Sequence, residues 1–375
     1  MTGSTPGTGR REDRGGRNAS LPARLHGGPD RWGVPPHDFS SNSNACGPCP
    51  AALAAIRAAD ATTYPDPGYT DLRERLAEFH GVDLRRVVLA ASASEFIFRI
   101  TAWVAQRQVR QGTVAMAWLP PHAYGDYANA ARANGMDFIA SADADAATDA
   151  DADAAQLRWL CDPSSPLGAA QAVWAVPADD SDTITVLDRA YEPLRLEGAL
   201  AMTDAQLQAV WQLWTPNKAL GLTGVRGAYA IAPEGRQGRR VATALDQCCP
   251  SWPLGAHGVA LLHAWSDAAV QQWLAESLAT LRNWKARQVA LCQGLGWTVL
   301  ASQANFFVCR AEAGTAAITA SSRIEPCITE RLDHLRRHGI KLRDCASFGL
   351  PGHVRLSVQP PASQDALARA WALPE

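Results

Sequence analysis

Short apolar runs alternate with amphipathic segments along most of this 375-residue chain. Apolar runs of strand length lie at 87–90, 114–119, 171–176, 183–187 and 229–232. Amphipathic patterns of helical period separate them, as at 71–80, where Leu72, Leu76 and Phe79 share one face. Strands that are joined through helices usually pair in parallel, so the alternation predicts an α/β fold with a mainly parallel sheet flanked by helices. Functional groups are then expected at the carboxyl ends of its strands.

The length suits two domains, and the pattern changes along the chain in a way that suggests where they lie. The first residues are rich in Gly and Arg, 255–296 reads as one long helical stretch, and the remainder alternates strand, helix and strands. We therefore predict a disordered tail at 1–24, an N-terminal arm at 25–50, a large domain at 51–255, a long helical connection at 256–290 and a smaller C-terminal α+β domain at 291–375.

Composition excludes several classes of function. A formal net charge of −2 gives no electrostatic reason to expect nucleic acid or an anionic membrane as partner. No apolar run approaches the roughly 20 residues that a membrane helix needs, and the N-terminus lacks the apolar core of a secretory signal. The nine cysteines include a single CxxC, at 46–49, without a second pair to complete a metal site. The chain is expected to be a cytoplasmic protein with reduced thiols, no metal and a small-molecule substrate.

Lys218 is one of only three lysines among 35 basic residues, and it lies among small and apolar residues, eight positions before Arg226. Arginine stays protonated, whereas a lysine of lowered pKa can form an imine with an aldehyde. A lysine followed by glycines and an arginine suits an aldehyde cofactor that carries a phosphate. Pyridoxal 5′-phosphate (PLP) is such a cofactor, with Lys218 holding its aldehyde carbon, Arg226 its phosphate, and Lys218 later serving as general acid and base. The alternative is an ordinary surface lysine.

PLP also requires an anion beside its pyridine nitrogen, because the protonated ring is the electron sink. Asp188 ends an apolar strand thirty residues before Lys218, and is the candidate; a strand-end cap is the alternative. Tyr191 is placed to bond the phenolic oxygen of the cofactor. Tyr124 is the candidate for stacking on the ring, against the alternative of a packing tyrosine.

A phosphate cup is predicted where a helix starts after the strand at 87–90. Ser92, Ala93 and Ser94 offer backbone N–H groups and hydroxyls there, and Thr215 and Asn217 add further hydrogen-bonding groups. The alternative for the first three residues is a simple N-cap.

Two late arginines, Arg343 and Arg355, lie in strand-like contexts and are candidates for binding substrate anions. Arg355 stands within the apolar run 354–358, where a buried charge is costly unless it is paired. A bidentate anion would relieve that cost. The alternative for each arginine is a structural ion pair.

Together these residues resemble the fold-type I PLP enzymes of the class I/II aminotransferase branch, over about 25–358. Lys218 with Arg226 looks like the lysine-to-arginine signature of that family, and Asp188 with Tyr191 looks like its Asp-x-x-Tyr element. Tyr64, in Tyr-Pro-Asp-Pro, resembles the tyrosine that reaches the phosphate of the partner subunit's cofactor. The resemblance therefore implies the aminotransferase fold type I and a homodimer.

Two members of the branch compete. Histidinol-phosphate aminotransferase shares the features above, whereas the segments 24–28, 38–48 and 342–348 look like threonine-phosphate decarboxylase of cobalamin biosynthesis. That second resemblance implies that His26 and Arg343 bind the substrate phosphate, and that Asn44 and Arg355 hold its carboxylate. The expected reaction is decarboxylation of O-phospho-L-threonine to 1-aminopropan-2-yl phosphate. The alternatives are an aminotransferase of the histidinol-phosphate type and a PLP-binding protein without turnover.

One departure from the family is the stretch 162–168. Members usually carry Asn-Pro-x-Asn-Pro-Thr-Gly, and the second Asn contacts the phenolic oxygen of the cofactor. Here the stretch is Asp-Pro-Ser-Ser-Pro-Leu-Gly, so that Ser165 stands at the Asn position. A serine is shorter and offers a hydroxyl instead of an amide. This difference is the reason for the alternative hypothesis of a PLP-binding protein without turnover.

Overall fold

The computed structural model of the chain describes residues 26–140, 154–171, 183–310 and 328–374. Its strands are β1 (His37–Asp38), β2 (Val87–Ala90), β3 (Met116–Leu119), β4 (Asp137–Ala140), β5 (Leu157–Cys161), β6 (Ile184–Asp188), β7 (Trp211–Trp214), β8 (Ala228–Ile231), β9 (Thr298–Val299), β10 (Phe306–Arg310), β11 (Ile340–Lys341), β12 (Arg343–Asp344) and β13 (His353–Ser357). Its helices are α1 (Pro50–Ala58), α2 (Thr70–His80), α3 (Ala93–Arg110), α4 (Gly125–Ala133), α5 (Asp204–Gln208), α6 (Gly235–Gln247), α7 (Ala256–Trp265), α8 (Ala268–Gly294), α9 (Ile328–Arg337) and α10 (Pro361–Ala372).

A seven-stranded sheet forms the centre of the molecule, in the order β2-β8-β7-β6-β5-β3-β4. The five strands from β7 to β4 run in parallel, and β8 is antiparallel to both of its neighbours. Every residue of β2, β5, β6, β7 and β8 is buried, as expected of a sheet covered on both faces. The predicted α/β class with a mainly parallel sheet is confirmed.

The register of this sheet brings the chemistry-bearing strand ends together. Cys161 at the end of β5 pairs with Asp188 at the end of β6, and Asp188 pairs in turn with Leu213 of β7. The segment with Lys218 follows β7 directly, and α3 starts two residues after β2. Loops from four strands therefore converge at one edge of the sheet, where ligands of open α/β sheets bind.

A second, antiparallel sheet of four strands has the order β12-β13-β10-β9. The arm before α1 is fastened beside it, because β1 pairs in parallel with β11 and Asp30 forms ion pairs with Arg336 and Lys341. A Cβ built at Gly27 would collide with the carbonyl oxygen of Ser40, so this close approach requires glycine.

Several predicted elements differ from those observed. The stretch 255–296 is two helices, α7 and α8, and 340–343 divides between β11 and β12, which lie in different sheets. The candidate strand at 171–176 lies, apart from its first residue, outside the described residues, as does the tail at 1–24. The strands β4, β5 and β7 were not predicted. The division into domains stays a prediction.

No helix in the described ranges is both long enough and apolar enough to cross a membrane. The described cysteines are all free thiols, and no group of metal-ligating side chains occurs among the described residues.

Candidate active site

A cavity opens at the carboxyl edge of the central sheet. It is lined by Ser92, Ala93, Ser94, Tyr124, Cys161, Ser165, Asp188, Ala190, Tyr191, Thr215, Asn217, Lys218, Arg226 and Gly227. Of the residues predicted to bind a cofactor, Tyr64 alone is missing from this lining, and Cys161, Ala190 and Gly227 were not predicted. The structure thus gathers into one place residues that are separated by up to 135 positions in the sequence.

Asp188 lies at the inner end of the cavity and is only 5% exposed. Its carboxylate accepts a hydrogen bond from the hydroxyl of Tyr127, at 2.7 Å, and another from the backbone N–H of Ala190, at 2.9 Å. Burial raises the pKa of this carboxyl, while the bond from Tyr127 and the charge of Lys218 oppose the rise. A cation placed against the carboxylate would compensate its desolvation.

Tyr127 is a residue that the sequence reasoning missed. It is fully buried, stacks on Trp159 with ring centroids 4.4 Å apart, and meets Tyr124 edge to face at 5.8 Å. Residues i and i+3 lie on one side of a helix. Because Tyr127 follows Tyr124, the N-cap of α4, by three residues, the sequence could have indicated that both tyrosines face the same site.

Lys218 is the only one of the three lysines that lines the cavity. Its Nζ lies 5.4 Å from the ring centroid of Tyr191. Lys285 forms an ion pair with Glu197, and Lys341 forms one with Asp30, so both have charge partners elsewhere. The backbone carbonyl of Lys218 accepts from the N–H of Asn44, at 2.9 Å, which ties this loop to the arm.

One wall of the cavity presents polar atoms without partners. Within the described part of the chain, Thr215 Oγ1 and Asn217 Oδ1 are buried and lack any hydrogen bond. A buried polar atom left unpaired costs roughly 1–3 kcal/mol, so these atoms indicate a polar ligand. Arg226 is exposed at the rim and adds positive charge. An anionic cofactor such as PLP fits this wall.

The start of α3 faces the same wall. Ser92 Oγ accepts from the backbone N–H of Glu95, at 3.1 Å, so it does cap the helix. Ser94 Oγ lies 3.2 Å from the hydroxyl of Tyr124, and burial raises the pKa of that phenol. Tyr124 therefore remains a neutral donor at neutral pH, next to a helix N-terminus that favours anions.

Ser165 lines the cavity and is 8% exposed. Asp162, three residues earlier, forms a buried ion pair with Arg195. This pair anchors the turn from which Ser165 projects. On its other side, Ser165 Oγ accepts a long hydrogen bond from Arg355 Nη1, at 3.5 Å.

Arg343 and Arg355 are direct partners across β12 and β13, and both are buried. Their guanidinium carbons lie 4.9 and 5.6 Å from the ring centroid of Phe348. Burial and the charge of Arg355 lower the pKa of Arg343. Arg355 forms no ion pair among the described residues, and its Nε has no hydrogen-bond partner there. An anion near Arg355 would relieve both deficits.

Besides Arg343 and Arg355, which are also absent from the cavity lining, three predicted site residues lie away from it. His26 is exposed, and Tyr64 is 76% exposed and stacks on Trp252 at 4.4 Å. The side-chain amide of Asn44 donates to the carbonyl of Ala219, at 3.0 Å, and to Ser277 Oγ, at 2.8 Å. Because these bonds use both its donors within the fold, Asn44 is poorly placed to bind a substrate carboxylate; its predicted role, like the others, stays a prediction.

Asn42, two residues before Asn44, is the arm residue that reaches the site, and it was also missed. Its Nδ2 donates to the hydroxyl of Tyr191, at 3.2 Å. In an extended arm, residues 42 and 44 lie on the same side. The sequence therefore indicated that this side of the arm faces the site, but not which of the two asparagines reaches it.

Comparison with known proteins gives a family for this arrangement. Residues 35–371 match the family described as aminotransferase class I and II. A histidinol-phosphate aminotransferase of Halorubrum lacusprofundi is 30% identical over 345 residues, which are 87% of this chain and 86% of that protein. One of Jannaschia sp. is 28% identical, over 87% of this chain and 88% of that protein.

Solved structures share the fold. The histidinol-phosphate aminotransferase of Sinorhizobium meliloti, in complex with pyridoxal-5′-phosphate, superposes with a TM-score of 0.68 at 24% identity, covering 88% of each chain. The L-threonine-O-3-phosphate decarboxylase of Porphyromonas gingivalis has a TM-score of 0.63 at 20% identity, covering 85% of this chain and 90% of that one.

Proposed function

Since the chain belongs to the class I and II aminotransferase family, we propose that it is an aminotransferase of the histidinol-phosphate type, acting on an amino phosphate. PLP is its cofactor, and its fold is the aminotransferase fold type I. The observation that carries the proposal is the cavity in which Lys218 and Asp188 lie with the unpartnered polar atoms of Thr215 and Asn217.

Each wall of the cavity has a part in holding PLP. Lys218 would hold the aldehyde carbon, Asp188 would serve the pyridine nitrogen and Tyr124 would pack on the ring. Tyr191 and Ser165 would serve the phenolic oxygen. The phosphate would be held by residues that line the same cavity, Ser92, Ala93, Ser94, Thr215, Asn217 and Arg226. When bound, PLP supplies an electron sink for the electrons of a bond broken at the substrate Cα.

The residues of the chain then perform separate tasks. Asp188, kept ionised by its two donors, holds the proton on the ring nitrogen. Lys218 would be the base that moves a proton at the substrate Cα. The rings of Tyr124 and Tyr191 line the same cavity.

Arg343 and Arg355 are proposed to bind the substrate anions. By fixing a phosphate or carboxylate, they would orient the bonds at the substrate Cα and so select the bond that is broken. Selection of the C–H bond would favour transamination, and selection of the bond to the carboxylate would favour loss of CO₂. Histidinol phosphate has no carboxylate at Cα, so only the first outcome is open to it.

Several relatives that match over most of the chain are named histidinol-phosphate aminotransferases, which favours this activity. A decarboxylase of O-phospho-L-threonine, giving 1-aminopropan-2-yl phosphate, is the second candidate. The close contact between Gly27 and Ser40 favours this decarboxylase. The contact holds the His-Gly-Gly segment, residues 26–28, against Ser40, whose backbone carbonyl accepts a hydrogen bond from Arg355. His26 would then contribute to substrate binding, whereas the side-chain donors of Asn44 are already used within the fold.

The test is product analysis with two substrates. With L-histidinol phosphate and 2-oxoglutarate, the loaded enzyme is expected to form glutamate, and to form none when 2-oxoglutarate is omitted. With O-phospho-L-threonine alone, no CO₂ is expected. Release of CO₂ without any acceptor would instead support the decarboxylase, and absence of both products from a PLP-loaded enzyme would contradict both candidates.

The family resemblance of Tyr64 leads us to propose a homodimer with shared sites. Tyr64 and Trp252 form an exposed stack that lies outside the cavity of their own chain. An exposed aromatic pair is typical of a protein contact. In the proposed dimer Tyr64 reaches the phosphate in the partner's cavity.

A further inference from the structure

The cavity lacks an amide at the place where the family usually has one. Ser165 stands at that position, and its Oγ has Arg355 Nη1 as a partner at 3.5 Å. A serine side chain ends one bond earlier than an asparagine and has a single donor hydrogen. The hydrogen bonding to the phenolic oxygen of PLP then depends more heavily on Tyr191.

Asn42 supplies an amide on the other side of Tyr191. It is 5% exposed, its Nδ2 donates to the Tyr191 hydroxyl at 3.2 Å, and its Oδ1 is buried without a partner among the described residues. An amide that is buried with one oxygen unsatisfied is expensive to keep. Its hydrogen bond to Tyr191, which lines the cavity, is what connects Asn42 with the site.

The backbone on both sides of Asn42 is fixed. The Phe39 N–H donates to the carbonyl of Lys341 at 2.9 Å, and the Phe39 carbonyl accepts from the Ser357 N–H at 2.8 Å. Beyond Asn42, the Asn44 N–H donates to the carbonyl of Lys218 at 2.9 Å. The amide of Asn42 is therefore held in place between the small sheet and the lysine loop.

We infer that Asn42 is a positioning residue that compensates for Ser165: its amide occupies a lone pair of the Tyr191 oxygen and directs the Tyr191 proton toward the cofactor's phenolic oxygen. The inference rests on the proposed function, since it concerns the same cofactor. A hydroxyl that accepts a hydrogen bond becomes a stronger donor in its own bond. Asn42 thereby strengthens the hydrogen bond from the Tyr191 hydroxyl to the phenolic oxygen of PLP.

A spectroscopic pH titration of the PLP-loaded protein tests this inference. Hydrogen-bond donors to the phenolic oxygen stabilise its anionic form. They therefore lower the apparent pKa of the bound cofactor, which is followed by its visible absorbance. Loss of the amide in Asn42→Ala is expected to raise that apparent pKa by about half a pH unit. The other titratable groups that line the cavity, Tyr124, Cys161, Asp188, Lys218 and Arg226, are unchanged in the variant.

Asn305→Ala is the matched control. Asn305 is also buried, donates to the carbonyl of Ser43 in the arm, and has an Oδ1 without a partner among the described residues, but it makes no hydrogen bond to Tyr191 within the described part of the chain. It is expected to lower stability without moving the titration. Asn42→Leu keeps a similar side-chain shape and removes both N–H donors without adding a charge, so it carries the test if Asn42→Ala does not fold.

Two further variants locate the effect. In a Tyr191→Phe background, Asn42→Ala should leave the titration unchanged, because the path through the hydroxyl is gone. In a Ser165→Asn background, the shift should shrink, because an amide has returned to the family's position. An equal shift in all three backgrounds, or no shift in either Asn42 variant, overturns the inference. Failure of the proposed function would look different: the wild-type protein would show no cofactor absorbance or no transamination.

Discussion

At the scale of single residues, the carboxyl group of Asp188 depends on two donors, and Tyr127 is the one that a substitution can remove. Asp188 is buried, which raises its pKa, and it serves the proposed reaction only when ionised. Hydrogen bonds to a charged group contribute about 1.5–3 kcal/mol, which corresponds to roughly one to two pH units. Tyr127 is thus expected to determine how far into acid the enzyme works.

Tyr127→Phe should move the acidic limb of the pH–rate profile to higher pH by about one unit. The sign follows because the variant raises the pKa of Asp188, and the active ionised form is lost as the pH falls through that value. Measurement of kcat against pH checks this. Tyr69→Phe is a control, since Tyr69 is another buried tyrosine, bonded to the Leu254 backbone away from the cavity. An unmoved limb in Tyr127→Phe would contradict the assignment.

Residues whose type is dictated by chemistry were predictable from the sequence. Lys218, Asp188 and Arg226 were predicted, and line one cavity, because imine formation, ring protonation and phosphate binding each restrict the residue type. Asn42 and Tyr127 were missed because their value depends on a partner 149 or 61 positions away. Such pairs become visible only when the fold brings them together.

At the scale of elements, the antiparallel pairing of β12 with β13 sets Arg343 directly opposite Arg355, with Phe348 beside both. Two cations on directly paired residues repel each other, and their burial adds the free-energy cost of removing charge from water. An anion of charge −2, such as a phosphate, is the ligand that best offsets this arrangement. The pair of strands therefore predicts selectivity for phosphorylated substrates.

Arg343→Ala is expected to raise KM for the phosphorylated substrate about ten- to a hundredfold, the range for loss of a charge-assisted bond. An unphosphorylated amino donor should lose far less. Arg310→Ala is the control, because Arg310 ends β10 of the same sheet but is exposed. Equal losses for both substrates in steady-state kinetics would argue against phosphate binding by Arg343.

Local patterns predicted most strands and helices near the site but not how the chain pairs over long distances. The stretch 340–343 reads as one strand, yet β11 pairs with β1 of the arm and β12 with β13. Ile340 of β11 pairs with His37, 303 positions earlier, and a local pattern does not reveal a partner at that distance in the sequence. Similarly, residues 255–296 have a continuous helical pattern, yet the helix is interrupted at Ser266 and Asp267. Asp267 forms an ion pair there with Arg75 of α2, a partner that the local pattern does not reveal.

At the scale of the whole molecule, Tyr64 distinguishes a single-chain site from a shared one. It stacks on Trp252 at the surface and does not line its own chain's cavity. If it completes the partner's phosphate site, two defective chains can complement each other. A hybrid of Lys218→Ala and Tyr64→Ala chains would then contain one intact site.

Refolding the two variants together at equal concentration should restore activity to about a quarter of the wild-type value, since half of the dimers are hybrids with one intact site each. Each variant refolded alone is the control, and should stay near its own low activity. Activity that equals the average of the two separate variants would contradict a shared site.

Lys218 is the residue proposed to form the covalent bond to PLP. Borohydride reduction of the loaded protein, followed by peptide mass mapping, identifies the residue that carries this bond, because reduction makes the bond permanent. A pyridoxyl-phosphate adduct is expected on the peptide that contains Lys218, and no adduct is expected in Lys218→Ala. An adduct on Lys285 or Lys341, or one that persists in Lys218→Ala, would contradict this proposal.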